Sequence, residues 1–91
     1  MVWAVELAES AADALDALDP TSRRRIQRFL QEWLQQTDNP RQRGKPLSGR
    51  YAGLWRYRVG EYRLVCQIQD ARLVVLVVKL GHRGDVYKKP P

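Results

Sequence analysis

The chain has 91 residues, of which 44% are hydrophobic, and a formal net charge of +6. This length predicts one domain over residues 1–91, and the apolar content is too high for a disordered chain. The longest apolar run, residues 73–78, is far shorter than the roughly 20 residues that cross a bilayer. A single cysteine cannot form an intrachain disulfide, and the early Glu6 and Glu9 do not fit a secretory signal. We therefore expect a cytoplasmic protein that makes no contact with membranes.

The charge is unevenly distributed along the chain. Residues 1–40 hold four basic and seven acidic side chains, whereas residues 41–91 hold twelve basic and three acidic ones. This separation predicts one electropositive face, which is what a polyanion such as nucleic acid requires. A solvated surface without any ligand would also explain the charge.

The first part of the chain predicts one strand and two helices. Residues 2–7 alternate well enough for a strand that places Trp3 and Leu7 on one face. A helix with Ser10 as its N-cap follows, and Asp19-Pro20 ends it and begins another, because proline is tolerated at the first helical position. The apolar residues of the second helix recur with helical spacing and form one face: Ile26, Phe29, Leu30, Trp33 and Leu34.

The second part of the chain predicts a loop followed by three strands. Residues 37–50 contain two prolines and two glycines and show no periodicity, which is typical of a loop. Strands are expected at about 51–59, 61–69 and 72–80. The last of these is continuously apolar, so we place it centrally with both faces buried. The predicted fold is α+β, in the order β-α-α-β-β-β, with two N-terminal helices on one face of a small, mainly antiparallel sheet.

Common catalytic signatures are absent from the sequence. There is no glycine-rich phosphate loop and no cluster of His, Cys, Asp or Glu at metal-ligand spacing, so we expect neither a metal nor a cofactor. Cys66 shares a predicted strand face with Leu64 and Ile68. We therefore interpret it as a packed core residue and not as a nucleophile.

The clearest chemical pattern is a set of arginines around Gly60. A two-residue turn at Gly60-Glu61 places Arg58 directly opposite Arg63, with Arg56 on the same face. Like charges that face each other destabilise a sheet, so either this face is fully wet or an anion lies between the arginines. Guanidinium groups bind phosphate bidentately, and arginine and tyrosine can stack on an unpaired base. The sequence therefore predicts a phosphate or RNA site, to which the tail could add His82, Arg83 and Tyr87.

Two segments of the chain resemble a known family. "GEYRLVCQI", an apolar strand and then "KLGHRGDVYKK" closely resemble the RelE toxins of the RelE/ParE superfamily, and "GKPLSGRYAGLWRYRVGEYRL" resembles their loop and basic hairpin. The resemblance covers nearly the whole chain, because the two N-terminal helices fit as well. It implies a bacterial messenger-RNA endonuclease that cuts in the A site of the 70S ribosome and inhibits translation. It also implies a small acidic RelB-like antitoxin that holds the toxin inactive in a hetero-oligomer.

The resemblance assigns roles to individual residues. Arg63 matches a phosphate-binding arginine, Arg83 an arginine that stabilises the transition state or protonates the leaving oxygen, and Tyr87 a tyrosine that stacks on or activates the nucleotide. Arg56 and Arg58 stand where well-known relatives carry lysines. Arginines cannot act as bases, so both are expected to clamp phosphate. The expected phosphate-binding set is Lys45, Arg50, Arg56, Arg58, Arg63, Lys88 and Lys89.

The implied reaction is attack of a 2′-hydroxyl on the adjacent phosphorus without a metal. The resemblance favours Tyr87 as the proton acceptor, and His82 is a candidate to assist because histidine titrates near neutrality. Two alternatives remain open at this stage. A ParE-like gyrase inhibitor would share the fold but would not need the Arg83–Tyr87 pair, and a catalytically silent homologue would bind RNA or sequester antitoxin without turnover.

Overall fold

The computed structural model describes residues 3–88 and confirms the α+β class. Its sheet has the order β1-β5-β4-β3-β2, in which β1 runs parallel to β5 and every other pair is antiparallel. Within the described residues no helix is both long and apolar enough to cross a membrane. The elements are β1 (Ala4–Leu7), α1 (Glu9–Asp16), α2 (Pro20–Arg28), β2 (Lys45–Pro46), β3 (Trp55–Val59), β4 (Tyr62–Gln69) and β5 (Val74–His82).

The predicted strands are present, but the one expected at 51–59 begins only at Trp55, because Gly49–Tyr51 form a turn of 3-10 helix. β5 lies between β1 and β4 in the interior of the sheet, as expected from its apolar run. Residues 45–46 form a strand that was expected to be part of a loop, and they pair with the first two residues of β3. Val2, predicted to begin the first strand, lies outside the described residues.

Both helices pack on one face of the sheet and form the main core. Ile26, Leu30 and Leu34 from the second helical region meet Leu64 and Cys66 from the sheet, and all five are buried. Burial raises the pKa of the Cys66 thiol well above its usual range, which keeps it a neutral thiol at physiological pH. The interpretation of Cys66 as a core residue is confirmed.

The first helix begins earlier than the sequence predicts. Its N-cap position is Ala8 and not Ser10, and no side chain caps it. The backbone N–H of Ala8 instead donates to the carbonyl of Val77 on β5 at 2.9 Å. The strand pairing therefore sets where this helix starts, a long-range effect that overrides the local capping preference. The second helix begins as expected, with the Asp19 side chain accepting from Ser22 N–H and Pro20 in the first turn.

The second helical region changes its pitch after α2. Residues Phe29–Leu34 are π-helical, and the N–H of Gln35 donates to the carbonyl five residues back, on Leu30. Wider turns bring residues four apart closer to the same face, and the rings of Phe29 and Trp33 stack with centroids 5.4 Å apart. Both rings lie half-buried at the β3 edge of the sheet, next to Tyr57.

A β-bulge interrupts β5, and the alternation of side chains between the two faces of the sheet is reversed beyond it. Cys66 pairs with Val77, whereas the adjacent Val65 pairs with Lys79, so Val78 is an extra residue. One inserted residue reverses the inward and outward order of everything that follows. Leu80 therefore faces the helices, as Val77 does, and Lys79 faces the opposite side.

The face of the sheet that the helices leave uncovered is called the open face here. Its side chains include Arg56, Arg58, Arg63, Val65 and Lys79, as the strand register requires. The residues after β5 cross part of this face and form a second small core, in which Tyr51, Val65 and Val86 are buried and Tyr87 packs beside them.

Candidate functional site

The β3–β4 hairpin brings two arginines face to face on the open face, as the sequence predicts. Arg58 pairs with Arg63, and Val59 pairs with Tyr62 across the turn. Gly60 has a φ of +59° and Glu61 a negative one, which is the pattern of a type II′ turn with glycine in first position. The guanidinium of Arg25 lies against Gly60, 2.7 Å from where a Cβ would stand, but this flexible side chain could move aside, so it is the positive φ that favours glycine here.

Arg63 is the centre of this cluster of cations. Its guanidinium donates to the carbonyls of Gly60 and Tyr62 at 3.1 and 3.0 Å, which fixes it against the turn. Partial burial lowers the pKa of Arg63, and the neighbouring cations Arg58 and Arg56 lower it further. Guanidinium groups do not lose their proton in proteins, so Arg63 still stays charged at neutral pH, in a position where an anion would relieve the repulsion.

Tyr87 lies against the open face, within the second core. Its ring meets the ring of Tyr51 edge to face at 5.4 Å, and Arg50 donates to its backbone carbonyl at 3.2 Å. The Tyr87 hydroxyl and Nε of Arg56 are both buried without a hydrogen-bond partner among the described residues. Buried polar atoms of this kind are uncommon in proteins, and both belong to side chains that the sequence assigned to the site.

Arg83 is held at the edge of the open face by the turn. Its backbone N–H donates to the carbonyl of Glu61 at 2.7 Å, and its Nε lies 3.2 Å from the Glu61 carboxylate. Arg83 also acts electrostatically on Arg63, as Tyr87 does. Three of the residues that the sequence assigned to the site, Arg63, Arg83 and Tyr87, are thus brought together.

His82 is not part of this group. It pairs with Tyr62, and the two rings meet edge to face at 5.8 Å on the side of the sheet that faces the helices. The expectation that His82 would lie beside the arginines is corrected by the bulge at Val78, which reverses the facing of later residues. The same bulge brings Lys79 to the open face, where its ammonium lies 5.9 Å from the centre of the Tyr51 ring. Lys79 is absent from the predicted site, because nothing in the apolar run marks the bulge.

The remaining expected phosphate ligands are more peripheral. Lys45 pairs with Arg56 at the sheet edge and is exposed. Arg50 holds the tail through the Tyr87 carbonyl, as described above, and Lys88 forms an ion pair with Asp85 at 2.9 Å. Lys89 lies outside the described residues. No group of three or more metal-binding side chains occurs among residues 3–88.

A second basic surface adjoins the open face along the end of β3 that β2 does not pair with. This edge groove has a volume of about 490 Å³. The guanidinium of Arg43 lies 4.7 Å from the centre of the Trp33 ring, a favourable cation–π distance. No local pattern in the sequence marks this surface, because its residues come from three separate segments. The groove is lined by Arg25, Arg28, Phe29, Glu32, Trp33, Arg43, Arg58, Val59 and Gly60.

The repulsion between Arg58 and Arg63 leads to a prediction about stability. Arg58→Thr should raise the free energy of unfolding of the free protein by a few tenths to about 1 kcal/mol, the scale of cross-strand pairs. Threonine also suits a strand. Arg63→Thr should raise the free energy of unfolding by less, because this variant also loses the two hydrogen bonds to the turn carbonyls. Chemical denaturation of both variants measures the effect. A less stable Arg58→Thr protein that retains full activity would show that the pair serves the fold.

Three comparisons place this fold and face among known proteins. The sequence model of "ParE toxin of type II toxin-antitoxin system, parDE" matches residues 5–87. The chain is 39% identical to toxin RelG of Mycobacterium tuberculosis over 46 residues, which are 50% of this chain and 53% of RelG. The alignment thus spans about half the length of this curated relative.

Two solved structures are similar over almost their whole length. The toxin–antitoxin complex RelBE2 from Mycobacterium tuberculosis contains a chain with a TM-score of 0.79 and 28% identity, covering 93% of this chain and 95% of that one. An archaeal RelE–RelB complex from Pyrococcus horikoshii OT3 gives a TM-score of 0.73 and 27% identity, covering 94% and 100%.

The fold and its basic open face define a small toxin domain of the RelE/ParE superfamily. The chain belongs to the ParE toxin family of type II toxin–antitoxin systems, whose sequence model covers most of it. The family predicted from the hairpin and tail motifs is thereby confirmed at the level of the superfamily.

Proposed function

We propose that this toxin is a ribosome-dependent endoribonuclease that cleaves messenger RNA in the A site and so inhibits translation. The observation that carries the proposal is the arrangement of four arginines and a tyrosine on the face that the helices leave uncovered: Arg56, Arg58, Arg63, Arg83 and Tyr87. Cleavage proceeds by attack of a 2′-hydroxyl on the adjacent phosphorus. No metal ion takes part, and the toxin acts in the cytoplasm, where ribosomes are found.

Each arginine has a defined task in this proposal. Arg63 binds the scissile phosphate, and Arg83 opposes the charge that develops on its oxygens in the transition state. Arg56 and Arg58 hold the phosphate from the β3 side, and their planar groups suit bidentate contacts. Such a ligand would also offset the repulsion between Arg58 and Arg63, which face each other across the hairpin.

The proposed partner in the resting cell is a small acidic antitoxin of the RelB type. Two similar structures are toxin–antitoxin complexes, and the net charge of +9 on residues 41–91 favours an acidic protein. The antitoxin and this toxin form a hetero-oligomer in which the arginine face, meaning the part of the open face with Arg56, Arg58, Arg63 and Arg83, is not available to RNA.

Expression in bacterial cells tests the proposal. The free toxin should arrest growth and protein synthesis, and supplying the protein encoded next to it should restore both. Primer extension on a cellular message should show breaks within codons that appear only during translation. Harmless expression of a folded wild-type toxin would contradict the proposal.

The match to the ParE sequence model makes a gyrase inhibitor the second candidate function. The same cells distinguish the two. If protein synthesis continues, messages remain intact and plasmid supercoiling fails, the toxin acts on DNA topology and the RNA proposal is wrong. A catalytically silent homologue would leave growth, messages and supercoiling unchanged.

A further inference from the structure

One acidic side chain, in the β3–β4 turn, lies beside the arginine face and has no role in the proposed reaction. Glu61, in the β3–β4 turn, has its carboxylate 3.2 Å from Nε of Arg83. Each of the two side chains is 62% exposed, so the carboxylate is open to a ligand that approaches from solvent. An exposed ion pair of this kind contributes little to stability, so the fold alone does not account for placing an acid here.

The proposed reaction requires a group that accepts the proton of the 2′-hydroxyl, and the other groups nearby are poorly suited. Guanidinium groups do not lose a proton in proteins, and a phenol is protonated at neutral pH. The Tyr87 hydroxyl is moreover buried. His82 lies on the other side of the sheet, against Tyr62. Asp85, the acidic residue of the tail, pairs with Lys88 at 2.9 Å and not with an arginine of the open face.

The contact with Arg83 places the Glu61 carboxylate next to the expected phosphate. A guanidinium that meets a carboxylate through Nε still has its two terminal nitrogens for a second anion. One group can therefore hold the carboxylate on one side and the phosphate on the other. We propose that Glu61 is the general base of this toxin, an inference that rests on the proposed ribonuclease function.

The step is a simple proton transfer coupled to substitution at phosphorus. The Glu61 carboxylate takes the 2′-hydroxyl proton while the 2′-oxygen forms a bond to the adjacent phosphorus. The bond from phosphorus to the 5′-oxygen breaks, and that oxygen takes a proton from water. The products are a 2′,3′-cyclic phosphate and a 5′-hydroxyl. The guanidinium of Arg83 stays charged throughout and stabilises the phosphoryl oxygens.

Three arginines lie close to the turn that carries Glu61. Arg83 contacts it from the tail, Arg63 lies against the turn from β4, and Arg25 of α2 packs on the neighbouring Gly60. A base that must be ionised gives a rate that falls as the pH is lowered into the range where carboxylates gain a proton. The rate of cleavage should therefore show this acidic limb.

The test compares Glu61→Gln with Asp85→Asn on ribosomes programmed with message, in single turnover at saturating toxin. Both variants remove the charge of an exposed carboxylate that forms an ion pair, but only the first removes the proposed base. Glu61→Gln should cleave at least 100-fold more slowly, as removal of a general base requires, and should lose the acidic limb. Asp85→Asn should keep the limb, and Glu61→Asp should recover part of the rate. Binding to a message with 2′-deoxyribose at the A site should be as tight in Glu61→Gln as in wild type, or tighter.

The outcomes separate this inference from the proposed function. Glu61→Gln that cleaves at the wild-type rate, or that is defective only in binding, overturns the role of Glu61 and leaves the ribonuclease proposal in place. A wild-type toxin that cleaves no message overturns both.

Discussion

Arg83→Ala should lower the rate of message cleavage by a factor on the order of 100 to 1000, which is the usual loss when one preorganised contact to a developing negative charge is removed. The fold should tolerate the change, because the side chain is exposed and its ion pair with Glu61 lies at the surface. The backbone hydrogen bond between these two residues does not involve the side chain and should remain. Single-turnover cleavage on programmed ribosomes measures the effect.

Arg72→Ala is the matched control for this variant. Arg72 is an exposed arginine in the turn at the opposite end of the β4–β5 hairpin, where it pairs weakly with Glu6. Arg72→Ala removes one positive charge, as Arg83→Ala does, but it should leave the rate of cleavage unchanged. Equal losses in the two variants would mean that Arg83 acts only through the overall charge, and a wild-type rate in Arg83→Ala would remove it from the site.

The affinity of the free toxin for RNA should fall steeply with salt. If four arginines of the open face each contact a phosphate of a single strand, the binding constant should fall with a logarithmic slope of about −2.8. Raising salt from about 50 to 200 mM would then weaken binding roughly 50-fold. Titration of a non-cleavable single-stranded RNA at several salt concentrations gives the slope directly.

Removing individual arginines should change this slope in a predictable way. Arg58→Ala and Arg63→Ala should each make it shallower by about 0.7, the share of one phosphate contact, whereas Arg72→Ala should not. A binding constant that is insensitive to salt would place the hairpin outside the RNA interface.

Local signals in the sequence were sufficient to predict the hairpin at the centre of the site. Gly60 marks a two-residue turn, and such a turn fixes the register of both strands, so Arg58 and Arg63 had to face each other. The alternation of side chains then placed Arg56 on the same face and Cys66 in the core. These relations depend only on residues close together in the chain, and the structure has each of them.

The rest of the site depends on contacts between distant segments. The bulge at Val78 decides that Lys79 faces the arginines and His82 does not, and an unbroken apolar run carries no mark of it. The pairing of Glu61 with Arg83 requires the end of β5 to lie beside the β3–β4 turn. Similarly, the edge groove appears only when the π-helical segment brings Phe29 and Trp33 to the edge of β3.

Cleavage of a defined message on purified 70S ribosomes tests the central claim most directly. One message carries ribose throughout, and a second has a single 2′-deoxy sugar at the A-site nucleotide whose hydroxyl would attack. We expect the free toxin to cut the first message within the A-site codon, leaving a 2′,3′-cyclic phosphate, and to leave the second intact. Naked message should be cut far more slowly. An intact first message, or equal cleavage of both, would contradict the assignment of the arginine face as a site for attack by the 2′-hydroxyl.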